Sequence, residues 1–144
     1  MMEVKLYNGG IAVDDRGSVR FVNDFNFSDV KRFYQVENHR RGFIRAWHAH
    51  EREGKYVYVA TGSALVGAVP LVNNNLTVSE GKKFVLSAKK PAVLFIPSGY
   101  GNGFMNLEEG TNILFFSTKT LDESLGDDIR FPFDTWNIWS DDFR

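Results

Sequence analysis

Cysteine is absent from this 144-residue sequence, the formal net charge is only −1, and long apolar runs are missing. Without cysteine there are no disulfides, no thiolate chemistry and no cysteine-bound zinc, which is compatible with a reducing cytoplasm. The near-zero charge gives no reason to expect a nucleic acid or an anionic membrane as a partner. No run approaches the ~18 apolar residues of a membrane-spanning helix, and residues 1–13 show no secretory signal. We therefore expect a soluble cytoplasmic protein.

A convincing helical period is also missing, and short β-rich runs separated by turns dominate the chain. We predict strands at 19–22, 30–36, 42–50, 56–60, 64–72, 83–86, 92–96, 102–107 and 112–118. A single domain spanning residues 1–144 is large enough for a core. This density of strands predicts an all-β double-sheet jelly roll. The aromatic segment 131–139 is expected to pack across that barrel or against a partner subunit.

Two of the three histidines, His48 and His50, lie two positions apart in one predicted strand. Successive side chains of a strand alternate faces, so both imidazoles point the same way. Ile44 and Ala46 share that parity and are apolar, as expected for a strand that lines a barrel interior. The alternative is a pair of exposed strand histidines. We favour the interior because burying two titratable rings is costly unless they have a task.

The spacing of Gly42, His48, His50 and Gly62 resembles the first cupin motif, in which a glutamate stands where this chain has Lys55. The resemblance implies the cupin, or double-stranded β-helix, version of the jelly roll.

Residues 97–106 resemble the second cupin motif, with Pro97, Gly99 and Asn106 in place and Asn102 where the motif has histidine. A metal-binding cupin needs about three histidines and a carboxylate around the ion. Because one ligand position holds a cation and another an amide, we expect neither a metal nor another cofactor. These two replacements argue against a metal-dependent cupin such as a dioxygenase.

Further stretches resemble two families of dTDP-sugar enzymes that share the cupin fold. Residues 15–17, 45–48, 54–57 and 96–104 resemble motifs of the dTDP-4-keto-6-deoxyglucose 3,5-epimerases. Residues 30–34 and 45–50 resemble the strand and the Arg-Gly-x-His-Ala-His motif of the dTDP-sugar 3,4-ketoisomerases. The resemblance implies a cofactor-independent isomerase that acts on a nucleotide-linked 4-keto-6-deoxyhexose and forms a homodimer. The charge and the lack of long apolar runs, as above, predict neither nucleic acid nor membrane as a partner.

The departures from the epimerase pattern favour 3,4-ketoisomerisation. The epimerases carry an acid tyrosine shortly after the strand that ends here near residue 118, and this chain has no tyrosine there. Their second histidine is Asn102. A 3- or 3,5-epimerase stays the alternative, and a non-catalytic sugar-binding cupin is the third possibility.

For the isomerase, we assign His48 as the base that removes the proton from carbon 3, since a neutral imidazole can accept it near pH 7. His50 would reprotonate or shuttle, while Lys55 and Arg45 would face the enediolate oxygen. Arg45 and His48 have opposite parity in a regular strand, so the assignment requires a β-bulge between them or an arginine that reaches around an edge.

Three more residues are predicted to bind the substrate. Arg16 would contact the diphosphate, because a guanidinium suits phosphate. Tyr34 could be an acid or a ring that stacks on the sugar, or it could belong to the core. Asn102 could contact the substrate or simply hold a turn.

Overall fold

The computed structural model describes residues 2–141 and Arg144. Within this part of the chain there are 13 strands and two short 3-10 helices, Val78–Glu80 and Phe133–Trp136. The strands, in chain order, are β1 (Lys5–Asn8), β2 (Gly10–Asp14), β3 (Gly17–Phe21), β4 (Arg32–Glu37), β5 (Ile44–His50), β6 (Lys55–Thr61), β7 (Ser63–Val72), β8 (Asn75–Leu76), β9 (Lys82–Ser87), β10 (Ala92–Ile96), β11 (Tyr100–Asn106), β12 (Asn112–Ser117) and β13 (Ile129–Arg130).

Two antiparallel sheets face each other. One has the order β1-β10-β6-β12-β4, and the other has the order β13-β5-β11-β7-β8, with β9 also paired to β7. The β2–β3 hairpin forms a separate two-stranded sheet. Burial alternates along β4 and β12, as expected for strands with one face toward a core. The predicted all-β cupin jelly roll is confirmed, although the sequence analysis did not predict the short strands β1, β2, β8 and β13.

The main core fills the space between the sheets. The sheet that contains β6 contributes Val57, Leu94 and Phe115, and the opposite sheet contributes Val66 and Phe104. All five side chains are at least nine-tenths buried. The inner faces of both sheets are thus apolar along most of their length, and the polar inward positions collect toward one end.

A β-bulge in β5 resolves the parity problem. His48 pairs with Asn102 and Arg45 pairs with Phe104, so three steps along β5 match two steps along β11. One extra residue in β5 therefore brings Arg45 and His48 onto the same face of the strand. Of the two alternatives left by the sequence, a bulge or an arginine that reaches around an edge, the structure contains the bulge.

Trp47 lies within this bulge and is fully buried against the C-terminal segment. Its ring centroid is 5.4 Å from that of Trp136 and 5.2 Å from that of Trp139. The indole N–H groups of Trp47 and Trp139 both donate to the carbonyl of Phe133, at 3.0 and 3.1 Å. The aromatic tail therefore packs on the barrel of its own chain, one of the two predicted places.

Gly67 gives the Trp47 ring its room, and Gly67→Ala should destabilise the fold. An added Cβ would lie 2.5 Å from Cη2 of Trp47, which is closer than packed carbons approach. Overpacking of this kind costs about 1–3 kcal/mol, measurable by urea unfolding. Gly54→Ala is the matched control, because its Cβ would meet no atom closer than 3.4 Å. Equal stability losses in both variants would contradict this account of the packing.

Candidate active site

A pocket of about 340 Å³ opens between the two sheets. One wall is β5, and the opposite wall is formed by β4 and β6, while the segment after β12 closes one side. The side chains that line the pocket are Arg32, Tyr34, His48, His50, Glu53, Lys55, Leu121, Ser124 and Asp128. Four of the seven residues predicted from the sequence to act or bind therefore lie together.

His50 is held in a defined orientation. It is 8% exposed, and its Nδ1 lies 2.5 Å from the carbonyl oxygen of Asp127. A carbonyl can only accept, so Nδ1 carries the proton and the neutral ring presents Nε2 as an acceptor. That Nε2 atom is buried and has no hydrogen-bond partner among the described residues. Burial, followed by the nearby Lys55 ammonium, lowers the pKa of His50, which keeps the ring neutral at pH 7.

His48 is half-buried and lies beside a carboxylate. Its Nδ1 is 3.6 Å from Oδ1 of Asp128, whose Oδ2 accepts a 2.8 Å hydrogen bond from Arg130. Burial lowers the pKa of His48; Asp128 opposes this shift, and the positive charges of Arg130 and Lys55 add to it. The ring is therefore neutral at pH 7, with a carboxylate in place to stabilise the imidazolium that forms when it accepts a proton.

Lys55 faces the two histidines from the opposite wall. It is 8% exposed, and in the described part of the chain its ammonium makes no ion pair or hydrogen bond. Its Nζ lies 5.9 Å from the ring centroids of both Tyr34 and Phe115. A buried cation without a counter-ion favours a negative charge in the pocket. No group of three or more metal-ligating side chains occurs among the described residues, and a lysine in the carboxylate position does not fit a metal.

The sequence analysis did not predict an ion pair that lies in the wall of the pocket. Glu53 is 4% exposed, accepts a 2.8 Å hydrogen bond from the Ser124 hydroxyl, and lies 3.4 Å from Arg32 Nη2. Both charged residues precede a predicted site residue by two positions, Arg32 before Tyr34 and Glu53 before Lys55. Residues two positions apart in a strand share a face, so this spacing could have indicated that Arg32 and Glu53 face the pocket. No sequence feature indicated Asp128, because it lies in a segment without a recognisable motif.

The other three predicted residues do not line the pocket. Arg16 is exposed at the β2–β3 turn and pairs with Asp14 at 2.6 Å. Arg45 donates from Nε to Oδ1 of Asn38 at 2.7 Å. Asn102 is 5% exposed and donates to the backbone carbonyl of His48 at 3.3 Å. Asn102 thus ties β11 to β5, and the substrate contacts of these three residues stay predictions.

A cupin barrel with two inward histidines facing an unpaired lysine, and no metal-ligand cluster in its described part, has the composition of a proton-transfer site. The chain belongs to the dTDP-4-dehydrorhamnose 3,5-epimerase family, whose model matches residues 2–139. The predicted resemblance to dTDP-sugar epimerases and isomerases is confirmed. No helix in the described part of the chain is long and apolar enough to cross a membrane.

The chain is 30% identical over 107 residues to the spore coat polysaccharide biosynthesis protein SpsL of Bacillus subtilis, covering 72% of this chain and 71% of SpsL. Solved structures share the fold. ChmJ, a 3'-monoepimerase from Streptomyces bikiniensis in complex with dTDP-quinovose, gives a TM-score of 0.80 at 18% identity over 98% of this chain and 77% of ChmJ. The QdtA 3,4-ketoisomerase of Thermoanaerobacterium thermosaccharolyticum gives a TM-score of 0.69 at 20% identity, over 94% of this chain and 91% of QdtA. Across such structures, the chain spans between 64% and 95% of the matched protein.

Proposed function

We propose that this chain is a cofactor-independent isomerase that moves the ketone of a dTDP-linked 4-keto-6-deoxyhexose from carbon 4 to carbon 3. Membership of the family supports the substrate class. The observation that carries the 3,4-ketoisomerase assignment is the pair of neutral histidines, His48 and His50, on one wall of the pocket. Side chains two positions apart in a strand are roughly 6 to 7 Å apart, which suits two adjacent carbons and their oxygens.

The reaction then needs two proton movements. His48 removes the proton from carbon 3, and the negative charge that develops on the oxygen at carbon 4 faces the Lys55 ammonium. His50 accepts the proton of the 3-hydroxyl at Nε2 and returns it to the oxygen at carbon 4. The His48 imidazolium delivers its proton to carbon 4. One C–H bond and one O–H bond break and one of each forms, so the atoms balance and no oxidant is required.

A 3- or 3,5-epimerase is the second candidate, and the position of Tyr34 favours it. Epimerisation needs an acid on the face opposite the base. Tyr34 reaches the pocket from β4, in the sheet opposite the histidines. The segment after β12, where the resembled epimerases carry their tyrosine, contributes Leu121 and Ser124 to the pocket. Neither is a proton donor of useful acidity, so an epimerase would depend on Tyr34.

Incubation with dTDP-4-keto-6-deoxyglucose in deuterated water, followed by proton NMR, separates the two candidates. The ketoisomerase is expected to yield a sugar with its ketone at carbon 3 and its hydroxyl at carbon 4. Inversion at carbon 3 or 5 with the ketone left at carbon 4 would show epimerisation instead. If neither product forms and no deuterium is incorporated, the third possibility, a non-catalytic sugar-binding cupin, is favoured.

The chain is also proposed to form a homodimer. Large apolar side chains remain exposed on the described surface, among them Phe27 at 60%, Phe33 at 68% and Val13 at 75%. Exposed apolar surface of this kind favours association. Light scattering at micromolar concentration is expected to give twice the 16.4 kDa of one chain. A mass of one chain would contradict the proposal.

A further inference from the structure

Asp127 lies two positions before the start of β13. It is 3% exposed, and its carboxylate accepts three backbone N–H groups from the turn that follows β5. Oδ1 accepts from Glu51 at 2.8 Å, and Oδ2 accepts from Arg52 and Glu53 at 3.0 Å each. A carboxylate with three such donors is firmly placed, because hydrogen bonds to a charged acceptor are the strong ones.

The same residue also holds His50, the last residue of β5. The side chain of Asp127 fixes the turn after His50, and its backbone carbonyl lies 2.5 Å from Nδ1 of the ring. This carbonyl keeps the proton on Nδ1, so that the buried and unpartnered Nε2 is left as an acceptor.

We propose that Asp127 is a positioning residue that sets the tautomer of His50. This inference rests on the proposed function, in which Nε2 of His50 accepts the hydroxyl proton of the substrate. In the other tautomer Nε2 would carry a proton and could not accept one. Asp127 does not line the pocket and acts only through His50.

Asp127→Asn is the sharpest variant. It keeps the shape of the side chain but replaces one oxygen by an NH₂ group, which cannot accept from the backbone N–H groups of residues 51–53. The turn at residues 51–53 and the backbone carbonyl of residue 127 are then no longer held in place relative to the His50 ring. Asp122→Asn is the matched control, since Asp122 is an exposed acid in the same segment and its side chain makes no contact with His50.

The test is nitrogen NMR of protein labelled with ¹⁵N-histidine, without substrate. The chain has three histidines, and the signals are assigned with His39→Asn and His48→Asn. In the wild type and in the control variant Asp122→Asn, the proton of His50 is expected on Nδ1 alone. In Asp127→Asn, His50 is expected to populate both tautomers, and formation of the sugar with its ketone at carbon 3 should fall roughly tenfold, well short of the loss of a general base.

Two results would overturn the proposal. One is a wild-type His50 that carries its proton on Nε2, which needs no variant and holds even if Asp127→Asn fails to fold. The other is a folded Asp127→Asn protein whose His50 stays entirely in the Nδ1–H form. A wild type with the expected tautomer but no activity on the keto sugar would contradict the proposed function and leave the tautomer assignment standing.

Discussion

His48→Asn is expected to lower deuterium incorporation at carbon 3 on the order of a hundredfold or more, because an amide cannot accept a proton at neutral pH. The residue is half-buried at the pocket wall and Asn is smaller than the imidazole, so the fold should be kept. The measurement is proton NMR of the keto sugar in deuterated water, with circular dichroism to verify folding.

His39→Asn is the control for this variant. His39 is exposed in the loop between β4 and β5 and does not line the pocket. It should exchange deuterium at the wild-type rate. If His48→Asn also exchanged at a near wild-type rate, His48 would not be the base, and His50, with its free Nε2, would take that role.

Lys55→Met should slow the reaction about a hundred- to a thousandfold, the usual loss when one group that stabilises a developing oxyanion is removed. Methionine approximates the length of lysine without the charge. Because Lys55 is 8% exposed and its ammonium makes no ion pair within the described part of the chain, stability should stay equal or increase. The measurements are the turnover of the keto sugar and urea unfolding. We expect slower turnover of the keto sugar together with an unchanged or higher free energy of unfolding.

Lys89→Met provides the matched comparison, since Lys89 is exposed in the turn after β9. It should change neither turnover nor stability. If Lys55→Met retained full turnover, the enediolate charge would have to be stabilised elsewhere, with Arg32 the other cation at the pocket. A large loss of stability would show instead that Lys55 has a structural partner.

The sequence predicted those parts of the site that follow from spacing within one strand. His48 and His50 share a face because of strand alternation, and the parity conflict with Arg45 required either an arginine that reaches around an edge or the bulge that β5 contains. Tyr34 and Lys55 were found through motifs, and all of these residues lie in or beside regular strands. The cupin fold followed from the same spacing.

The parts that the sequence did not reveal depend on contacts between distant segments. Asp127 and Asp128 reach His50 and His48 from nearly 80 positions away, in a stretch without alternation or motif. Arg16 is the opposite case, and its substrate contact stays a prediction. Its motif was recognisable, yet the hairpin that carries it stands apart from both main sheets.

The two walls of the pocket differ in how firmly they are held. β6, which carries Lys55, lies between β10 and β12 and is paired on both sides. β5, which carries the histidines, has β11 on one side and on the other the two-residue β13, extended by the backbone hydrogen bonds between Trp47 and Phe131. Amide protons should therefore exchange with solvent sooner along the outer edge of β5 than along β6. Of the two walls, the one that carries the histidines has fewer backbone pairs along its outer edge.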